Sequence, residues 1–167
     1  MAQALYFPTT VLMGPGSIEL IPNEIAQLNK KKALIVTDEM LMKVGIVKKV
    51  TDVLDAANIE YATFSNVKPN PTVANVNEGF KALEDNGCDY VISIGGGSPQ
   101  DTAKAIAILK TNPGNIADYE GINLTKNKCI PLIAINTTAG TASEATINYV
   151  ITDEERKVKM VIVDANS

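Results

Sequence analysis

The chain has 167 residues, 46% apolar and 20% charged, which is enough to bury the core of one ordinary domain. A formal charge of -4 with both signs interspersed, no apolar run of bilayer length and no signal-peptide pattern at the start exclude nucleic-acid and membrane partners, and a cytoplasmic location is expected. Histidine is absent and Cys88 and Cys129 stand apart, so these residues supply no imidazole or thiolate metal site; two buried free thiols are expected.

An extended segment is expected from Ala4 to Met13, broken at Gly14-Pro15-Gly16, with Ser17 capping a helix through Leu28. Ala33 to Thr37 then reads as a buried strand that Asp38 ends. One helical stretch from Glu39 to Ala57 leads to a short strand at Glu60 to Phe64. Pro69-Asn70-Pro71-Thr72 is a turn that caps the next helix, which stops at Asn86-Gly87. A strand from Asp89 to Ile94 runs through Gly95-Gly96-Gly97 into a helix from Ser98 to Lys110. After Asn112-Pro113-Gly114 comes a polar stretch with one short helix at Ile116 to Tyr119, then a strand from Ile130 to Ile135 that ends in a small-residue turn, Asn136 to Ser143. Thr146 to Ile151 and Lys157 to Val163 read as a hairpin across Thr152 to Arg156. This alternation predicts an α/β, Rossmann-like fold: a mostly parallel sheet with helices on both faces plus a β-hairpin, in a single dinucleotide-binding domain spanning 1–167.

The most informative stretch is the strand, glycine turn and helix start at Tyr90 to Ile106. Three glycines let the backbone turn sharply, Ser98 suits an N-cap, Pro99 the first helical position and Asp101 the acid of a capping box. The unpaired amides and positive dipole at such a helix start attract a pyrophosphate. Consecutive glycines are not the G-x-G-x-x-G fingerprint, however, and the same pattern also occurs in sheets that bind nothing. In open α/β sheets the ligand sits beyond the carboxyl ends of the strands, which gathers Asp38, Asn70, Gly95, Gly96, Gly97, Ser98, Thr137, Thr138 and Thr141 at one crevice. Asp38 either accepts from the ribose hydroxyls of NAD, and so repels the 2'-phosphate of NADP, or merely caps the next helix. The threonines offer hydroxyls to adenine or phosphate, or bond within their own turn. Asp101 would be repelled by a pyrophosphate and must point elsewhere, to the capping box or to the reactive end of the cofactor. Lys104 either neutralises phosphate or is an exposed helix lysine.

Five segments, Ala33-Leu-Ile-Val-Thr-Asp38, Pro69-Asn-Pro-Thr72, Gly95-Gly-Gly-Ser-Pro-Gln-Asp-Thr-Ala-Lys-Ala-Ile106, Thr137-Thr-Ala-Gly-Thr-Ala142 and Thr146-Ile-Asn-Tyr-Val-Ile-Thr-Asp-Glu-Glu155, carry a family resemblance along nearly the whole chain. It resembles the amino-terminal domain of the iron-containing (group III) alcohol dehydrogenases, most nearly their lactaldehyde reductase and propanediol dehydrogenase branch. The resemblance implies a dehydroquinate-synthase-like amino-terminal domain that binds NAD(H) in an enzyme moving a hydride between NAD and a small alcohol, diol or hydroxyaldehyde. It implies Asp38 at the adenosine ribose, Gly97 and Ser98 at the pyrophosphate, Thr137, Thr138 and Thr141 along adenine and phosphate, and Asp101 near the nicotinamide. Asn70, Asn148 and Lys159 are implied as further cofactor contacts, and the initial segment as a homodimer edge. The family's iron (or zinc) is held by an aspartate and three histidines in a carboxy-terminal helical domain, none of them in this chain, so the chain alone is expected to be inactive. A stand-alone nucleotide-binding module and the cofactor domain of a glycerol-dehydrogenase-like enzyme are the alternatives; Thr137 to Ala142 and Ser98 to Asp101 fit the iron group better.

Overall fold

A computed structural model describes residues 10–167. Most of the expected extended segment lies outside these residues, and its described end, 10–13, forms no regular element. Ser17–Leu20 is a single 3-10 turn leading into α1 (Ile21–Leu28). Ser17 is not its cap: Gly16, at φ 81°, turns the chain in, and no side chain caps the turn. The strands of the main sheet are β1 (Lys32–Val36), β2 (Glu60–Phe64), β3 (Tyr90–Gly95) and β5 (Leu132–Asn136). Between them run α2 (Glu39–Lys43), α3 (Ile46–Ala56), α4 (Val73–Asp85) and α5 (Gly97–Leu109). The single helix expected from Glu39 to Ala57 is therefore two, because Gly45 takes φ 80°, a left-handed conformation through which a right-handed helix cannot continue.

The four strands lie in the order β2-β1-β3-β5 and all pair in parallel. Central strands covered on both faces read as unbroken apolar runs, and all six residues of β3 are buried. On one face α1 and α3 press Ile21, Ile25, Val47, Val50 and Leu54 against Ala33, Ile35, Ile92 and Ile94. On the other, α4 and α5 set Val76, Leu83, Ile106 and Ile108 against Leu34, Val36 and Val91. Each such Val, Leu or Ile side chain contributes about 1.5–3 kcal/mol by leaving water.

The hairpin is β6 (Asn148–Asp153) against β7 (Val158–Val163), antiparallel from Asn148↔Val163 to Asp153↔Val158. The first arm falls two residues later than the apolar pattern suggests and the second starts one residue later but ends at Val163 as expected, because Asp153 Oδ1 accepts from the amides of Glu155 and Arg156 and so closes the turn at 154–157. A two-residue strand, β4 (Gly121–Ile122), extends this second sheet in the order β4-β7-β6. Its inner face, Tyr149, Ile151, Met160 and Ile162, completes the core beside α5. The mostly parallel α/β sheet with helices on both faces and an appended hairpin is thus the architecture read from the sequence. No helix among the described residues is long and apolar enough to cross a membrane.

Candidate nucleotide-binding site

The strand order reverses between β1 and β3, since β2 lies outside β1 and β5 outside β3. Such a reversal leaves a crevice beyond the carboxyl ends of the two central strands. Asp38 follows β1, and Gly95 ends β3 with Gly96 to Ser98 after it, so both stand at the carboxyl ends of these strands.

Gly95 has φ 156°, and a Cβ there would lie 2.4 Å from Pro99 Cγ, so no other residue fits without displacing the ring. Freed of side chains, the backbone enters α5 at Gly97, one residue earlier than expected, with Gly96 as N-cap and no side-chain cap. Ser98 is therefore inside the first turn rather than capping it, and Pro99 is the third helical residue rather than the first. The amides of Gly96, Gly97 and Ser98 have no protein partner among the described residues, the arrangement a helix start offers to an anion.

The turn after β5 closes over these glycines. A Cβ on Gly96 would lie 3.0 Å from Thr138 Oγ1, and one on Gly97 would lie 3.2 Å from Thr141 Cγ2. Thr137 donates its amide to the Gly95 carbonyl at 3.1 Å. Asn136 and Thr141 also make bonds within the turn, to the amides of Thr138 and Ser143. The three threonines thus stand against the glycine turn, and the turn's contacts include local bonds.

Asp101 makes no capping box. Once α5 starts at Gly97, Asp101 is its fifth residue and faces the hairpin: Oδ1 accepts from the Ser143 hydroxyl at 2.6 Å and Oδ2 from the Val150 amide at 3.0 Å. Burial pushes its carboxyl pKa up, opposed by those two bonds and by Lys104. Lys104 is neither exposed nor directed at a phosphate. It is 4% accessible, and its Nζ donates to the carbonyls of Thr146 at 2.6 Å and Asn148 at 3.1 Å. Burial lowers its pKa, against the pull of Asp101 and Glu144. Together this pair fastens the start of α5 to the turn at 141–148.

Asp38, a half-buried residue, accepts from the Leu41 amide at 2.9 Å and so caps α2, one of its two expected roles; it is not among the residues lining the cleft described below. Across from it, Thr152 donates its amide to the Pro71 carbonyl at 2.8 Å, which joins the hairpin to the turn carrying Asn70. Asn70, at φ 54°, accepts from Lys159 Nζ at 2.8 Å. A cleft of about 330 Å3 results, lined by Asn70, Gly97, Ser98, Asp101 and Lys159 with Pro71, Val150 and Thr152. The last three carried no expectation, although period-two alternation places Val150 and Thr152 on the same hairpin face as Asn148. The exposed Asn148 starts that face but is not among the cleft-lining residues. A second hollow, beside α1 and α3, carries Glu19 and Asp52, which would repel a phosphate. Of the two expected buried thiols, Cys88 is buried and Cys129 half-buried. No group of three or more His, Cys, Asp or Glu side chains among the described residues is placed to hold a metal ion.

The family described as iron-containing alcohol dehydrogenase matches residues 8–167. The lactaldehyde reductase of Escherichia coli (strain K12) is 47% identical over 166 residues, covering 98% of this chain and 44% of that protein. An alcohol dehydrogenase from Oenococcus oeni superposes with a TM-score of 0.92 at 39% identity, over 99% of this chain and 44% of that one. The sulfoacetaldehyde reductase from Bifidobacterium kashiwanohense, solved in complex with NAD+, superposes with a TM-score of 0.86 at 30% identity, over 99% of this chain and 44% of that one. The chain thus spans less than half the length of the relatives it matches.

Proposed function

The chain belongs to the iron-containing alcohol dehydrogenase family, and from that membership we propose that its 167 residues form the NAD(H)-binding domain of an enzyme moving a hydride between NAD and a small alcohol, diol or hydroxyaldehyde. The observation that carries this reading is the glycine turn at the strand-order reversal: the amides of Gly96, Gly97 and Ser98 have no protein partner among the described residues, and Gly97 and Ser98 line the cleft. The NAD+ complex of one relative and the lactaldehyde reductase activity named for another support the cofactor and the substrate class.

In this reading the amides of Gly96, Gly97 and Ser98, beside Gly95, hold the pyrophosphate. Asp38 accepts from the adenosine ribose, and Thr137, Thr138 and Thr141 line the adenine and phosphate side. Asn70, Asn148 and Lys159 are further cofactor contacts, and Asp101 stands near the nicotinamide. Both Asp101 oxygens accept hydrogen bonds from the Ser143 and Val150 side of the cleft, which ties the carboxylate toward the hairpin. Lys159, held by Asn70, brings a cation to the cleft. NAD, when bound, supplies the ring that accepts or returns the hydride, and a metal in the family's chemistry supplies a Lewis acid at the alcohol oxygen. Donors for iron or zinc would come from a helical domain outside these residues, and these residues alone would not turn over alcohol. A cytoplasmic location and a homodimer through the initial segment belong to the same reading.

Titration calorimetry tests it. The chain should bind NAD at least about tenfold more tightly than NADP, a difference of ~1.4 kcal/mol, and Asp38→Gly should narrow that gap. Equal affinity for the two nucleotides would remove the role given to Asp38, and binding of neither would remove the site.

A further inference from the structure

Beneath the glycine turn lies a set of buried hydrogen bonds with no ligand-facing role. The Thr37 hydroxyl donates to the Ile94 carbonyl at 2.9 Å. The Gly95 carbonyl accepts twice, from the Thr137 amide at 3.1 Å and from Gln100 Nε2 at 3.4 Å. Gln100 Oε1 in turn accepts from the Ser93 hydroxyl at 2.5 Å. Thr37, Ser93 and Gln100 are each 0% accessible. Burying polar side chains costs stability unless they are bonded, and aliphatic residues would fill these places without that cost. What the polar set adds is control over two carbonyls.

Those carbonyls matter because a trans peptide unit points its C=O and the following N–H in opposite directions, and no cis peptide occurs among the described residues. Drawing the Gly95 oxygen down toward Gln100 and Thr137 therefore turns the Gly96 N–H up toward the crevice. A free Gly95 carbonyl, at a glycine with little resistance to rotation, would be able to turn its negative end toward an incoming anion instead.

We propose that Thr37, Ser93 and Gln100 are positioning residues for the pyrophosphate of a dinucleotide: by holding the Ile94 and Gly95 carbonyls from below, they fix the two peptide units that lead into α5 and keep the Gly96 amide turned outward at the head of the Gly96 to Ser98 set. The inference rests on the reading of this crevice as a nucleotide site. Its mark is selectivity for the phosphate-bearing part of the ligand, which a general loss of stability would not produce.

The test compares ADP, which carries the pyrophosphate, with adenosine, which does not. Calorimetry and saturation-transfer NMR would be run on variants shown folded by circular dichroism. The double variant Ser93→Ala/Gln100→Leu, which leaves no stranded hydroxyl, should bind ADP roughly tenfold more weakly while adenosine affinity stays within about twofold. Thr37→Val should act in the same sense and Thr37→Ser should restore ADP binding; this pair carries the test if the double variant does not fold. Equal weakening of ADP and adenosine, or no change in either, overturns the positioning role alone. A wild-type chain that binds neither ligand overturns the nucleotide reading and this inference with it.

Discussion

The two faces of the parallel sheet are packed by different rules. On the α1 and α3 side the buried core is aliphatic apart from Tyr90, whose pKa burial pushes up to about 12 and whose buried hydroxyl, like that of Tyr149 on the other side, has no hydrogen-bond partner among the described residues. On the α5 and hairpin side Ser93, Gln100, Lys104 and Ser143 are buried and each is hydrogen-bonded. Apolar burial gives cohesion without direction, whereas a bonded polar group fixes where a particular backbone atom points. The difference teaches that the first face fastens the sheet and the second aims the loops at its carboxyl edge, where the glycine turn lies.

That contrast can be broken most severely from the aliphatic side. Leu54→Ala, at a fully buried position against β1 and β3, should cost about 3 kcal/mol in urea unfolding. NAD affinity of the protein that remains folded should not change, and a parallel loss of affinity would show that the aliphatic face also shapes the site.

A smaller effect should come from the polar side. Burial raises the pKa of Asp101, so in the window from the usual carboxylate range up to that raised value the folded state holds more protons than the unfolded one. Stability therefore falls as pH rises through that window. Asp101→Asn, which cannot ionise, should lack this part of the pH dependence, measured as the difference between the two unfolding curves against pH; identical profiles would mean that the carboxylate is not buried as described.

The architecture, though not this division, was legible in the sequence. The apolar runs at Ala33 to Val36 and Tyr90 to Ile94, separated by amphipathic stretches and followed by Asp38 and Gly95 to Ser98, give the parallel sheet and the crevice at its edge. Less legible were bonds that join distant parts of the chain. Asp101 reads locally as a capping acid and Lys104 as a surface lysine, yet their partners Ser143 and Thr146 lie 42 residues further on. Periodicity carries no information about such pairings. The two residues of β4 are too few to show any period, and the break at Gly45 was masked by helical spacing on both sides of it.

The central claim is that the amides of Gly96, Gly97 and Ser98 seat the pyrophosphate of NAD. Amide-resolved NMR titration of the 15N-labelled chain with NAD tests it most directly. The resonances of those three residues should shift furthest and saturate along one binding curve with those of the turn at 137–141. Saturable NAD binding that leaves Gly96, Gly97 and Ser98 unmoved would contradict it.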